Sequence, residues 1–297
     1  MIILLAVVPA CQYNHGFIES TILPDWLSGL KISTYGLMMA CGFISANYLL
    51  QKEFFRLNIP VKLADSIIIA LVVGGLLGAK IFYVWETSSR WSGWQGFKDQ
   101  MFSLGGLTWY GGMVVATLFA AILLYRKKMS FMRMADISTP ALALGYMFGR
   151  LGCLLSGDGC YGIACTYNWP APFAMAFPNG HAHWSDITQM YNNPDVVVYN
   201  TPLYEAFISL LLFSYFYSKR KNEWPFGTKV VTFLILHSLQ RFFIEFIRLN
   251  PKDVLGVTQA QFVSIVLILI SVVYLILKRK EIQVYLKEGQ YGNTPNK

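Results

Sequence analysis

Long apolar runs alternate with short basic segments along this chain. A membrane-crossing helix needs about 20 mainly apolar residues. Seven stretches approach or reach that: 32–50, 65–85, 107–125, 135–155, 203–218, 229–248 and 259–277. The pattern predicts an all-α integral membrane protein, one membrane domain over 1–297 with about seven transmembrane helices. The apolar start, Met1 to Ala10, is too short to span and lacks the basic residues that open a signal peptide. Residues 156–202 form the longest connection. They are rich in Pro, Gly, Asn and aromatics, and predict a small folded extracytoplasmic cap.

Composition agrees. Charged residues make up 13% of the 297, against about 25% in soluble domains, which excludes an ordinary cytosolic enzyme. The net charge of +8 would suggest nucleic acid on a soluble chain. Here the positions of the charges explain it. Sixteen of the 24 Lys and Arg fall in 51–64, 126–134, 219–229 and 278–297, and four in the alternate segments. Basic residues stay on the cytoplasmic side, so the N-terminus is expected outside, the C-terminus inside, and nucleic acid is excluded as a partner. The five cysteines form no C-x-x-C pair or zinc-like spacing, and His181 and His183 lack an evident third ligand, so neither metal nor cofactor is expected.

Ionisable residues inside spans are costly and mark function. Lys80, Arg150, Glu205, Arg241, Glu245 and Arg248 lie in or at the ends of predicted spans, and Asp158 follows the fourth. The topology puts all of them toward the outer leaflet. His237, Arg241, Glu245 and Arg248 are spaced 4, 4 and 3 residues, which sets them on one helical face. Three arginines then face two acids, Glu205 and Glu245. The surplus is positive and suits an anion, and a guanidinium fork suits phosphate. A transporter would want polar groups near the midplane and echoing halves, and neither is evident. Around Arg150 runs Gly149-Arg150-Leu151-Gly152-Cys153-Leu154-Leu155-Ser156-Gly157-Asp158-Gly159-Cys160-Tyr161-Gly162, weak as helix and suited to a backbone cradle around an anion. The run Gly105-Gly106-Leu107-Thr108-Trp109-Tyr110-Gly111-Gly112 fits either close helix packing or a Tyr110 side chain aimed into the charged region.

These residues together resemble the prolipoprotein diacylglyceryl transferase family. Gly149–Gly162 is similar to its signature G-R-x-G-N-x-x-N-x-E-x-x-G. Thr34-Tyr35-Gly36 is similar to (W/T)-Y-G, and Gly105–Gly112 to G-G-L-x-x-(H/Y)-G-G. Pro202-Leu203-Tyr204-Glu205 matches the end of H-P-T-x-L-Y-E. Arg241–Arg248 matches R-x-x-x-E-x-x-R, Gln261 and Ser264 match Q-x-x-S, and Lys80 stands where the family carries a basic residue. The chain departs at Cys153 and Ser156, where the family has Asn, at Asp158 for Glu, and at Tyr199-Asn200 for His-Pro.

The resemblance implies transfer of a diacylglyceryl group from phosphatidylglycerol to the lipobox cysteine of a prolipoprotein signal peptide. A thioether forms and glycerol phosphate leaves, the first step of lipoprotein maturation. It places the chain in the bilayer of the bacterial cytoplasmic (inner) membrane, with its active site toward the outer leaflet. It implies Arg150, Arg241, Tyr110 and Asp158 as catalytic. It implies Arg150, Arg241, Arg248, Glu245, Tyr35, Lys80, Glu205, Gly149 and Gly152 as substrate-binding. The replaced asparagines leave open an inactive or altered-substrate lipid-binding relative.

Overall fold

A computed structural model describes residues 17–18, 32–88, 93–102, 106, 108–166, 169–177, 196–222, 224–250 and 256–288. His181 and His183 lie outside them, as does Met1–Ala10. Helices occupy every stretch whose apolar pattern predicts one: α1 (Thr34–Arg56), α2 (Lys62–Glu86), α4 (Trp109–Arg126), α5 (Phe131–Ser156), α6 (Thr201–Ser218), α7 (Thr228–Ile244) and α8 (Gln259–Leu277). Two further helices, α3 (Gly93–Phe102) and α9 (Arg279–Glu288), lie between and after them. Among the described residues four segments are long and apolar enough to cross a membrane: Lys62–Glu86, Trp109–Arg126, Thr228–Ile247 and Gln259–Leu277. Most of their apolar surface stays outside the packed interior, with Ile69, Leu76, Ile270 and Leu277 exposed. Water would penalise such a surface and lipid tails do not. The chain is a multi-pass helical membrane protein.

It divides into two compact units, one of Asn47–Ile137 and one of Met1–Ala46 with Ser138–Lys297. In the first, α2 lies against α4 along small residues. A Cβ on Gly78 would collide with the carbonyl oxygen of Gly111, and one on Gly111 with Phe82 and with the Gly78 carbonyl. Backbones approach this closely only where side chains are missing, the usual device where no hydrophobic effect drives helices together. Thr108 N–H extends the contact by donating to the Ala79 carbonyl at 3.0 Å. Asp65 accepts from Asn47 (2.8 Å) and Gln51 (2.7 Å), tying the end of α1 to the start of α2.

The second unit carries two short antiparallel pairs, β1 (Phe17–Ile18) with β2 (Ile32–Ser33) and β3 (Ala174–Met175) with β4 (Val198–Tyr199). The described part of the expected cap packs on Leu154, Tyr161, Met175, Phe177 and Val198, with the Tyr161 and Phe177 rings stacked at 4.8 Å. Helix starts are well specified. Asn200 caps α6 by accepting from Leu203 N–H (3.3 Å), with Pro202 in the first turn. Thr258 and Gln261 form a reciprocal capping box on α8.

Candidate active site

Glu205, in the second turn of α6, is the centre of the second unit's charged cluster and is 0% exposed. Its Oε2 meets Arg150 Nε of α5 at 2.7 Å. Its Oε1 meets Arg241 Nη1 of α7 at 3.0 Å and Arg248 Nη1 at 3.1 Å. The Tyr146 hydroxyl donates to Oε2 and accepts from Arg150 Nε at 2.8 Å. Gln240 donates to the Glu205 backbone carbonyl at 3.0 Å. Glu245 forms a second anchor: Oε2 lies 3.0 Å from Arg241 Nη2 and 3.8 Å from Arg248 Nε, and Asn250 donates to Oε1. Ionised carboxylates this deep persist only with such partners.

Among the ion-paired groups three guanidiniums share two carboxylates, an excess of one positive charge before Asp158, in the turn beyond Arg150, is counted. The arginine side chains are only 14% (Arg150), 18% (Arg241) and 7% (Arg248) exposed. The ion pair of Arg150 with Glu205 is made at Nε, and its Nη1 lies 3.9 Å from Cys153 Sγ.

The local geometry differs from the sequence expectation in two places. The spacing of Arg241, Glu245 and Arg248 predicts one α-helical face through 248. Instead α7 ends at Ile244, a 3-10 turn covers Glu245–Ile247, and Arg248 is extended (φ −96°, ψ 159°). Its backbone bridges to Gly162, whose neighbour Ile163 donates to the Ile247 carbonyl at 2.9 Å. A Cβ on Gly162 would sit 2.5 Å from that same carbonyl, so this glycine permits the bridge. Gly149 and Gly152, expected in a loop-like cradle, lie inside α5. Gly152 instead lets α1 approach: a Cβ there would come within 3.1 Å of the Tyr35 ring and 3.3 Å of Met38. The turn follows, with Gly157 (φ 60°) and Gly159 (φ 80°) in the left-handed region.

In this turn Asp158 Oδ1 accepts from Cys160 N–H at 3.1 Å, and Thr201 Oγ1 donates to the Cys160 carbonyl at 2.6 Å. The Cys160 thiol is pulled down to about 7. A hydrogen bond from the Cys153 side chain does most of this, and the charges of Arg248 and Arg150 add to it against burial and Asp158.

The second unit thus brings together Arg150, Arg241, Arg248, Glu205 and Glu245, with Asp158 in the turn beyond Arg150 and Tyr35 against Gly152. Lys80 and Tyr110 belong to the first unit. There Lys80 Nζ lies 3.5 Å from the Gly106 carbonyl and 5.3 Å from the centre of the Tyr83 ring. Tyr110 stands in the first turn of α4, edge-on to Trp109 at 5.3 Å. Sequence reasoning missed Tyr146, Gln240 and Asn250. Tyr146 was within reach of it, four residues before Arg150 on one helix face. His237 packs edge-on to Tyr146 (4.4 Å) and stacks on Phe233 (5.6 Å), and its buried Nδ1 has no hydrogen-bond partner among the described residues.

The chain is thus a multi-pass helical membrane protein whose second unit has a buried, arginine-rich centre. The sequence model of the prolipoprotein diacylglyceryl transferases matches residues 24–277. The chain belongs to that family and is a transferase. A phosphatidylglycerol–prolipoprotein diacylglyceryl transferase of Leptospira interrogans serovar copenhageni is 33% identical over 241 residues, 73% of this chain and 72% of that one. One from Clostridioides difficile is 31% identical over 265 residues, 86% and 95% of the two chains. One from Oceanobacillus iheyensis is 28% identical over 256 residues, 85% and 86%.

Proposed function

We propose that this protein moves the diacylglyceryl group of phosphatidylglycerol onto the lipobox cysteine of prolipoprotein signal peptides. The observation that carries the reading is the surplus guanidinium charge around Glu205. A phosphodiester headgroup entering from the lipid supplies the missing anion. Arg150 and Arg241 grip its phosphate, and Arg248, shared by Glu205 and Glu245, holds the geometry. The acceptor sulfur attacks the glycerol carbon that bears the phosphate ester. A C–S bond forms, the C–O bond breaks, and its electron pair leaves on glycerol phosphate. Negative charge grows on that oxygen in the transition state, where fixed guanidiniums stabilise it most. The thiol proton must leave before or during attack; Tyr110 and Asp158 are the candidate acceptors. Tyr35, held against Gly152 of the Arg150 helix, borders the lipid-binding surface.

The charge pattern supports seven crossings, the N-terminus outside, and the arginine cluster in the outer half of a bacterial inner membrane, where signal peptides emerge. The test uses purified protein, labelled phosphatidylglycerol and a lipobox peptide, with mass spectrometry of the peptide. We expect a gain of one diacylglyceryl unit with the wild type, and loss of at least about a hundredfold in Arg150→Ala and Arg241→Ala, the scale of one oxyanion-stabilising donor. Arg150→Lys, which keeps charge and loses the fork, should fall between. Normal transfer by a folded Arg150→Ala variant overturns the assignment. Tyr110→Phe and Asp158→Asn in the same assay identify the proton acceptor.

A further inference from the structure

Three donor atoms at the end of α5 lie closer together than the phosphate-binding reading requires. Cys153 Sγ, Cys160 Sγ and a carboxylate oxygen of Asp158 all fall within 4.8 Å of one another. Both cysteines are free thiols. Cys153 is fixed by the last turns of α5. Cys160 is fixed by Thr201 on its carbonyl and Asp158 on its N–H, which engages only one Asp158 oxygen. The cluster stands beside the anion site, since Arg150 Nη1 lies 3.9 Å from Cys153 Sγ.

Two thiolates and a carboxylate are the donor set of a zinc-class divalent cation, and three protein ligands leave one tetrahedral position open. The size fits: sulfurs about 2.3 Å from zinc at tetrahedral angles stand about 3.7 Å apart, inside the observed spread. The charge fits as well. Three anionic donors around a dication leave one net negative charge, and the guanidiniums of Arg150 and Arg248 hydrogen-bond the two sulfurs from outside the coordination sphere. The sequence expectation of no metal rested on the lack of a C-x-x-C pair. The donors here are spaced Cys-x4-Asp-x-Cys across a helix end, and only the Gly157–Gly159 turn folds them together. Cys153 stands where most of the family has Asn.

We infer that Cys153, Cys160 and Asp158 bind a zinc-class cation whose fourth position takes the sulfur of the acceptor cysteine. The role at that fourth position rests on the transfer reading above; the cation site itself does not. The acceptor thiol binds as thiolate and gives its proton to water, because a coordinating thiol is deprotonated outright. Its sulfur then forms the bond to the glycerol carbon, the C–O bond breaks toward the phosphate held by Arg150, and the thioether product, a neutral and weak ligand, leaves the metal. Activation of this kind removes the need for a strong side-chain base. It gives Asp158 the task of ligand rather than proton acceptor.

The test is a cobalt titration of the reduced full-length protein in detergent. One equivalent of Co2+ should produce thiolate-to-cobalt charge-transfer absorption and tetrahedral d–d bands, both removed by excess Zn2+. Cys160→Ser and Cys153→Asn should each cut the charge-transfer absorption by about half or more and weaken cobalt binding at least about tenfold, while Cys165→Ser keeps both at the wild-type level. Cys153→Asn carries the family's own residue, and circular dichroism checks that it folds. A lipobox peptide should change the d–d bands, and the same peptide with serine for cysteine should not. No cobalt absorption in the wild type, absorption undiminished in both variants, or no response to the cysteine peptide overturns the inference. Lipid transfer that proceeds without metal and resists chelation overturns it while leaving the transfer reading standing. Cobalt binding in a protein that transfers no lipid does the reverse, upholding the cation site and sinking the transfer reading.

Discussion

Glu205 holds three cations with one carboxylate, and this arrangement is both its cost and its use. Each guanidinium is nearly buried and would repel its neighbours without the acid between them. Removing one partner from such a group is costly because the other charges stay behind uncompensated. Glu205→Gln should therefore lose about 3–5 kcal/mol of stability, read as a clear fall in apparent Tm in detergent. A melting curve unchanged from wild type would mean that the ion pairs contribute nothing to folding. Tyr146→Phe removes one hydrogen bond to the same carboxylate and should cost about 1–3 kcal/mol. The charged members of this cluster were legible in the sequence, since any charge in an apolar run stands out. Tyr146 carried a weaker mark, its place four residues before Arg150 on one helix face, and its part in the cluster shows only once its hydroxyl is seen on the carboxylate. Cys160 was hidden for another reason: its nearness to Cys153 depends on the turn between them, which spacing alone does not give.

At the scale of elements, two glycine-bearing segments do different jobs. Gly78 and Gly111 let α2 and α4 touch backbone to backbone, so Gly111 of the Gly105–Gly112 run serves close packing. Gly78→Leu should drive the helices apart and lower stability by about 1–3 kcal/mol or more, measured by thermal aggregation of the solubilised protein. Gly75→Leu, where an added Cβ would meet only Ala116 Cβ at 4.0 Å, is the milder control. The other segment, around Gly162, ties the cap to the end of α7. Helix existence was readable from apolar run length; the caps that set the starts of α6 and α8, Asn200 and the Thr258–Gln261 pair, are seen only in the structure. The tightening of α7 into a 3-10 turn at Glu245 was not readable either, because the cause is the bridge from Arg248 to Gly162, eighty-odd residues back in the chain.

For the molecule as a whole, the charge pattern makes an assertion about sidedness that apolar surface cannot make. Alkaline phosphatase fused after Thr166 should be active in cells, and the same reporter fused after Asn222 should be silent; the opposite result would invert the topology and remove the arginine cluster from the outer leaflet. The sequence motifs lie far apart in the chain, and the second unit gathers the arginine and acid members into one place, which is why a family signature spread from Tyr35 to Ser264 reads as scattered until the helices pack. The shared carboxylate of Glu205 has a further consequence for binding. Because it already pins all three side chains, an arriving headgroup freezes no long, floppy arms, so little of its affinity is consumed in ordering them.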